Sequence, residues 1–467
     1  MLKGLAMRLS LENAKKILED NDQAHVLRFW HELGESQRSG LMAQVESLDF
    51  GSIARMQRLL PENQTAAVAG DITPADVAQP SAREKEDARR LGEDAIRRGT
   101  VGVLLVAGGQ GSRLGFEGPK GCYLLSPITN APLFSIHARK IVALERAYGS
   151  RVPFYIMTSQ SNDQETKAFF DRHDYFGLSR DRVKFFVQGM WPALSADGKI
   201  VLDRKDHVFM SPDGHGGILS ALRANGMLDD METRGLQILF YFQVDNPLVE
   251  IADPAFIGFH KKCGAQMSVK VCAKRDPEEG LGVVVKRNGR HAIVEYTELT
   301  KEQKHETLPD GHLRFRFGSV AIHVFSMEFL RGEASAELPL HVAHKKVSYC
   351  DDGGTLVKPE KPNAYKFEKF IFDSLPHAET VLNYEFARED EFSPVKNATG
   401  SDTPDTARRD MMRKWARWLE ACGISVPRDA AGEILYRIEI DPCFAMGPDE
   451  LKKKLKKGFA ITGDLLL

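Results

Sequence analysis

Cysteine is scarce in this 467-residue chain, and its placement excludes zinc-ribbon chemistry. The six residues Cys122, Cys263, Cys272, Cys350, Cys422 and Cys443 form no Cys-x-x-Cys pair, which suits a reducing compartment. Net charge is nearly absent too: 63 Lys and Arg stand against 65 Asp and Glu, so a nucleic-acid partner has no electrostatic support. The basic run Lys452–Lys457 is the local exception and reads as a solvated face near a helix end. No apolar run approaches a membrane span, and the N-terminus lacks the uninterrupted apolar segment of a signal peptide. A soluble, cytoplasmic protein is expected, with no membrane partner. Internal repeats, low-complexity tracts and a Gly-x-Ser-x-Gly elbow are all missing, and nothing singles out a nucleophilic cysteine. His341 and His344 could share a helix face, but no Glu or Cys completes a metal set beside them.

The remaining composition is that of a large globular protein. Hydrophobic residues make up 42% and charged residues 27%, and the length suits two or three domains. Residues 10–60 carry helical periodicity, as in Val26, Leu27, Phe29, Trp30 and Leu33. Residues 61–82 read as a connector, and a charged helix over 83–98 is stopped by Gly99. From residue 100 short apolar strand candidates (Val101–Val106, Val152–Met157, Val183–Val187, Gln237–Phe242) alternate with helices such as Asp163–His173, capped by Asn162 or Asp163. Such alternation predicts an open α/β sheet with ligands at the strand carboxyl ends. Residues 265–325 read as more β-like. A helix opening at Thr403-Pro404 and stopped by Gly423 begins a small C-terminal α/β part with a strand candidate at Ile434–Ile440. The expected division is 1–98, 99–397 and 398–467.

The most informative stretch follows the first of those strands. Leu104–Val106 runs into Ala107-Gly108-Gly109-Gln110-Gly111-Ser112-Arg113-Leu114-Gly115, with Pro119-Lys120-Gly121 just beyond. A P-loop requires Gly-Lys-Ser/Thr, and Lys120 instead sits between Pro119 and Gly121. A dinucleotide fingerprint runs straight into a helix, whereas further glycines and Pro119 follow here. The loop is therefore long and open. Glycines let backbone N–H groups approach phosphates, Arg113 can grip oxygens as a planar fork, and Lys120 adds a mobile charge. A polyphosphate is the expected ligand.

Gly108–Gly115 with Pro119-Lys120-Gly121 resembles the signature loop of the UDP-sugar pyrophosphorylases, most closely their UDP-N-acetylhexosamine branch. The resemblance runs in family order from residue 104 to 397 and implies a Rossmann-like nucleotidyltransferase core, a mixed and mostly parallel sheet. It places Ala107, Gly108, Gly109 and Gln188 of Phe186-Val187-Gln188-Gly189-Met190 at the nucleotide. It gives Gly214 of Pro212-Asp213-Gly214-His215-Gly216-Gly217 to the nucleoside, and His215 to the sugar. Asp245, ending Tyr241-Phe242-Gln243-Val244-Asp245, matches the family's metal ligand for Mg²⁺ or Mn²⁺. Glu295, Tyr296 and Ser319 fall near the sugar. Lys366 falls by the nucleotide phosphates, and Lys396 of Ser393-Pro394-Val395-Lys396-Asn397 by the reacting phosphates. His215 and Ser319 each replace an asparagine of the hexosamine pattern.

The implied reaction is in-line attack of a sugar 1-phosphate on the α-phosphorus of UTP, yielding UDP-sugar and pyrophosphate. Arg113, Lys120 and Lys396 would be its catalytic groups. A UDP-glucose, UDP-galactose or broad UDP-sugar pyrophosphorylase is the enzymatic alternative, kept open by His215 and Ser319. A UDP-sugar sensor without turnover is a different class, disfavoured by the intact Arg113, Lys120, Asp245 and Lys396. A nicotinamide-dependent dehydrogenase is disfavoured by the glycine spacing. Oligomeric state is left open.

Overall fold

The computed structural model describes residues 9–61 and 71–467, which divide into two compact units. The first comprises 9–61, 189–218 and 337–371; the second comprises 71–188, 219–336 and 372–467.

In the first unit residues 10–60 form α1 (Leu11–Asp20), α2 (Glu35–Ser47) and α3 (Phe50–Arg58), while Val26, Leu27, Phe29, Trp30 and Leu33, expected in a helix, fall in and beside two short 3-10 turns, Ala24–Leu27 and Trp30–Glu32. Ser10 caps α1 by accepting from the Asn13 N–H, and Asp49 caps α3 by accepting from Ser52. Leu18, Leu41, Ile53 and Met56 share one apolar cluster with Leu194, Ile200, Leu202, Val208 and Phe367. Gln23 ties the same seam with polar contacts, donating to Gly198 O at 3.0 Å and accepting from Ile200 N at 2.8 Å. His341 and His344 lie on the strand His341–Lys345, not on a helix, so the period of two sets them on opposite faces. His341 stacks on Phe370, and His344 on Tyr365.

A ten-stranded mixed sheet organises the second unit. Its strands are β1 (Ile72–Pro74), β2 (Val101–Val106), β3 (Phe154–Thr158), β4 (Val183–Val187), β5 (Ile238–Gln243), β6 (Met267–Ala273), β7 (Val283–Arg287), β8 (Arg290–Val294), β9 (Phe317–Ser326) and β10 (Val381–Glu385). The strands β5-β2-β3-β4 run parallel, and β9 continues the sheet antiparallel to β5. Strands β2, β3 and β5 are near-continuous apolar runs, as suits strands covered on both faces, while β4 at the sheet edge carries Lys184. Leu105, Ile156, Phe240 and Phe242 are wholly buried there. The covering helices include α4 (Ala82–Arg97), α5 (Leu133–Tyr148), α6 (Asp163–Arg172) and α7 (Pro254–Lys262). Helices α4 and α7 touch backbone to backbone at Gly92 and Gly258, where an added Cβ would stand 1.8 Å and 1.7 Å from a facing carbonyl oxygen.

Three sequence expectations shift. Of the connector read over 61–82, residues 62–70 lie outside the described residues; beyond them Ile72–Pro74 is β1, paired antiparallel with β7. The strand expected at Val152–Met157 starts at Phe154 and ends at Thr158, because Pro153 has no N–H for the ladder. In the C-terminal part, α8 (Pro404–Ala421) is capped by Thr403 and ends before Gly423 at φ +81°. Of the strand expected at Ile434–Ile440, Ile438–Glu439 pairs with Leu465–Leu466, and Ile434 makes only an isolated bridge to Arg428. No helix among the described residues is long and apolar enough to cross a membrane.

Candidate active site

The second unit assembles most of the expected residues at the carboxyl end of its parallel strands. The glycine loop leaves β2 there, as Ala107 N donates to Met157 O at 2.8 Å. It runs as an open excursion closed by two contacts, Gly111 N to Gly118 O at 2.9 Å and Lys120 N to Gly109 O at 3.1 Å. Asn162 buttresses it from the start of α6. Its buried amide donates to Ala107 O at 3.0 Å and Gly109 O at 3.4 Å and accepts from Ser159 N at 2.8 Å. Asn162 therefore stands at the capping position without capping the helix through its side chain.

Gln188 follows β4 and is nearly buried, its backbone N–H held by Thr158 O at 2.9 Å. The side-chain amide lies against Gly108 so closely that a Cβ there would stand 2.3 Å from Gln188 Oε1. The glycine at 108 thus makes room for the one amide expected to read a base.

The charged groups converge on the loop after β5. Lys120 Nζ meets Asp245 Oδ2 at 3.3 Å, and the two side chains are only 16% and 15% exposed. Gly121, next to Lys120, packs directly on Phe134, which a Cβ would strike at 2.2 Å. The segment 391–402 brings Lys396 alongside. Val395 N donates to Asp245 O at 2.8 Å, and Ala398 N donates to Arg113 O at 3.1 Å. Lys396 N and Asn397 N both donate to Asp402 O, and the Lys396 ammonium stands 3.9 Å from the Asp402 carboxylate. The exposed Arg113 guanidinium forms no ion pair with any described residue.

Glu295, Tyr296 and Ser319 gather around the Gly280–Gly282 turn. Ser319 N donates to Gly282 O at 2.8 Å, while Cβ atoms built on Gly282 and Gly280 would lie 3.2 Å from Glu295 Oε1 and 3.6 Å from the Tyr296 ring. Because β9 pairs His323 with Tyr241 in antiparallel register, Ser319 lies at the carboxyl end of β5, on the side of Asp245.

Gly214, His215 and Lys366 belong to the first unit. Gly214 adopts φ +83°, a turn conformation that L side chains rarely take. Ile371 N donates to His215 Nδ1 at 3.2 Å, so the neutral ring carries its proton on Nε2. Burial, helped by His341, pushes the His215 pKa down to about 4. The Lys366 ammonium sits 4.8 Å over the Phe209 ring, and burial lowers its pKa. Asp213, quoted in the motif but given no role, is buried against Gly189 and Gly217, and burial pushes its carboxyl up to about 6.

Sequence reasoning also missed a carboxylate group behind the site, buried at Asp253 and Glu391 and open to solvent at Glu250. Glu250, Asp253 and Glu391 bring carboxylate oxygens within 4.8 Å of one another. Lys270 on β6, with no exposed surface, reaches Asp253 at 2.8 Å and Glu391 at 2.5 Å. Although burial opposes its charge, those carboxylates hold the ammonium above the ordinary lysine range. The countercharge is already in place, so this acid cluster does not fit a metal ion. Asp245 fits better. Its single carboxylate at a strand end, beside groups suited to phosphates, matches the few protein ligands Mg²⁺ takes.

Comparison with known proteins places these residues in context. The family model described as UTP–glucose-1-phosphate uridylyltransferase matches residues 55–402. The chain is 39% identical over 437 residues to UDP-N-acetylhexosamine pyrophosphorylase-like protein 1 of Xenopus tropicalis, covering 89% of this chain and 86% of that one. It is 36% identical to UDP-N-acetylglucosamine diphosphorylase 2 of Arabidopsis thaliana, covering 93% and 90%. The crystal structure of the uridine diphosphate N-acetylglucosamine pyrophosphorylase from Trypanosoma brucei superposes with a TM-score of 0.82 at 27% identity, covering 97% and 95%.

Proposed function

The chain belongs to the UTP–glucose-1-phosphate uridylyltransferase family, the UDP-sugar pyrophosphorylases, and from that premise we propose that it makes UDP-N-acetylhexosamine and pyrophosphate from UTP and an N-acetylhexosamine 1-phosphate. N-acetylglucosamine 1-phosphate is the first choice of substrate, in line with the names of its relatives. One observation carries the reading: Lys120 ion-pairs with Asp245, and the strap bearing Lys396 hydrogen-bonds backbone to backbone with Asp245 through Val395 and with Arg113 through Ala398, so the four residues stand on neighbouring backbone. A protein that only binds a UDP-sugar has no use for such a concentration of phosphate-gripping charge.

The chemistry needs no side-chain nucleophile. A sugar 1-phosphate oxygen attacks the α-phosphorus in line and the P–O bond to pyrophosphate breaks, so positioning and charge neutralisation supply the catalysis. Arg113 forks onto the β and γ phosphates, and Lys120 neutralises the departing pyrophosphate. Lys396 offsets charge at the α-phosphorus or on the incoming phosphate. Gln188, beside the Gly108 backbone, reads uracil. Glu295, Tyr296 and Ser319 line the sugar side, and His215 offers a neutral N–H donor for a sugar oxygen. Gly214 and Lys366 serve the nucleotide. Asp245 would hold Mg²⁺ or Mn²⁺, and the cation would supply neutralisation of phosphate charge. All six cysteines are free thiols, which supports a cytoplasmic setting.

The test is pyrophosphate release from UTP and Mg²⁺ with N-acetylglucosamine, N-acetylgalactosamine or glucose 1-phosphate. Release with the N-acetylhexosamine phosphates, abolished in Arg113→Ala without loss of fold, is the expected result. Release mainly with glucose 1-phosphate would move the sugar assignment to the UDP-glucose branch. No release with any sugar, alongside measurable UDP-sugar binding, would overturn catalysis.

A further inference from the structure

The strap that carries Lys396 begins at Glu391, and its first residues are fixed by a side chain that no motif singles out. Asn246, next to Asp245, is buried at 4% exposure. Its Nδ2 donates to Glu391 O at 2.6 Å, and its Oδ1 accepts from Ser393 N at 3.2 Å and Leu248 N at 3.3 Å. The amide thus acts as one rung of a ladder, satisfying a carbonyl and an N–H of the strap together. Only an amide offers both a donor and an acceptor on one planar group at this reach. The orientation is set by the partners, since the carbonyl requires NH₂ and the two N–H groups require oxygen.

A second anchor stands behind the first. The Glu391 side chain accepts from the buried Lys270 ammonium at 2.5 Å and from Glu250 N at 3.3 Å. Lys270 also holds Asp253, which caps α7 by accepting from Ala255 N at 2.9 Å. Ser393 Oγ donates to Asp410 Oδ2 on α8 at 2.7 Å. Past these contacts the strap meets Asp245 O through Val395 N and Arg113 O through Ala398 N. Lys396 lies between those two points, and its side chain is 36% exposed with a distant partner, Asp402, at 3.9 Å. Its side chain is therefore placed by the strap's backbone, not by contacts of its own.

We propose that Asn246 is a positioning residue for uridylyl transfer, acting through the Glu391–Ser393 backbone to set the Lys396 ammonium against Asp245, with the Lys270 ion group as its rigid support. The inference rests on the reading of Lys396 and Asp245 as groups that serve the reaction. The glycine loop and Gln188 are held by Asn162 and Thr158, and Arg113 meets the strap through its carbonyl and not its guanidinium, so nucleotide capture does not depend on Asn246. Loosening the strap lowers turnover and spares UTP affinity. A misplacement of about an ångström at a reacting centre costs on the order of 100-fold.

The experiment is a double-mutant cycle on the full chain. Wild type, Asn246→Ala, Lys396→Ala and the double variant are compared by pyrophosphate release, with thermal unfolding run alongside. Asn246→Ala is expected to lower kcat by roughly 10- to 100-fold with KM for UTP within about threefold. In the Lys396→Ala background the same change should add less than about twofold, because the group it positions is gone. Multiplicative losses in the cycle, or a loss confined to KM, would overturn the proposal. Should Asn246→Ala fail to fold, Ser393→Ala frees the strap from α8 and is expected to show a smaller kcat loss, again absent in the Lys396→Ala background. An additive result there overturns it equally. An inactive wild type would instead count against the proposed function, so the two failures are distinguishable.

Discussion

Replacing Gly108 with alanine tests the base-reading side of the site with a single methyl group. The new Cβ would stand 2.3 Å from Gln188 Oε1, where ordinary van der Waals contact begins near 3.4 Å. The atom that must retreat is the far end of a flexible side chain, so relief needs a rotamer change and no backbone movement. Folding should lose no more than about 1–2 kcal/mol. The amide, however, moves by more than an ångström, enough to break a hydrogen bond to a base edge. Losing that contact from a nearly buried amide costs about 1–3 kcal/mol, which corresponds to roughly 5- to 150-fold in affinity. The expected outcome for Gly108→Ala is thus a KM for UTP raised about 5- to 150-fold, kcat within about threefold, and weaker discrimination between UTP and CTP. Steady-state pyrophosphate release with UTP and CTP varied, read beside thermal unfolding, measures all three. On a Gln188→Ala background the extra methyl should add little. An unchanged KM for UTP in a folded Gly108→Ala protein would refute the placement of uracil at Gln188.

Two further outcomes follow from the charges. Lys120 competes with any cation for Asp245, and a pair at 3.3 Å with both side chains mostly buried contributes about 1–2 kcal/mol; Lys120→Met should therefore bind Mn²⁺ about 5- to 30-fold more tightly in the nucleotide-free protein. Calorimetric titration with Mn²⁺ measures this, with Asp245→Asn as the variant that should not bind; equal affinity in Lys120→Met and wild type would count against Asp245 as the ligand. His137 is wholly buried, its Nε2 is 2.9 Å from Val244 O, and burial pushes its pKa down to about 3. The unfolded chain takes up a proton below about pH 6.5 that the folded protein refuses, so this stability is present above 6.5 and lost as pH falls toward 3. Urea unfolding at pH 7 and pH 5 should show wild type losing about 2 kcal/mol more than His137→Gln; equal losses would refute the assignment.

The parts of the molecule that could be read from sequence are those whose signals are local. The Val101–Val106 strand, its glycine loop, the Asp163–Arg172 helix and the stop at Gly423 each rest on residues a few positions apart. Three residues of β1 inside a proline-bearing connector carry no period of two, and only their partner β7 makes them a strand. The β7–β8 hairpin did leave a signal, Asn288-Gly289, both at positive φ in a two-residue turn. Asn162 could not be distinguished from a helix cap, because capping and buttressing a loop call for the same residue type. Lys270 presents the same difficulty more sharply. A lysine in a strand is ordinarily exposed, and the partners that bury this one lie 17 residues upstream and 121 downstream.

The two lysine–carboxylate groups near β5 show why burial, and not residue type, separates framework from function. Lys120 and Asp245 retain some exposure at 3.3 Å, so a phosphate can draw the ammonium away and leave the carboxylate free for a cation. Lys270 has none, and its partners Asp253 and Glu391 are 8% and 6% exposed at 2.8 and 2.5 Å. Separating that second group would strand charge in the interior, which costs several kcal/mol, so it stays closed whatever binds outside. A rigid ion group can brace the strap only because it does not exchange. An exchangeable pair can take part in phosphate chemistry only because it does. Asn246 and Glu391 join the two, carrying the fixity of the buried group to the strap on which Lys396 stands.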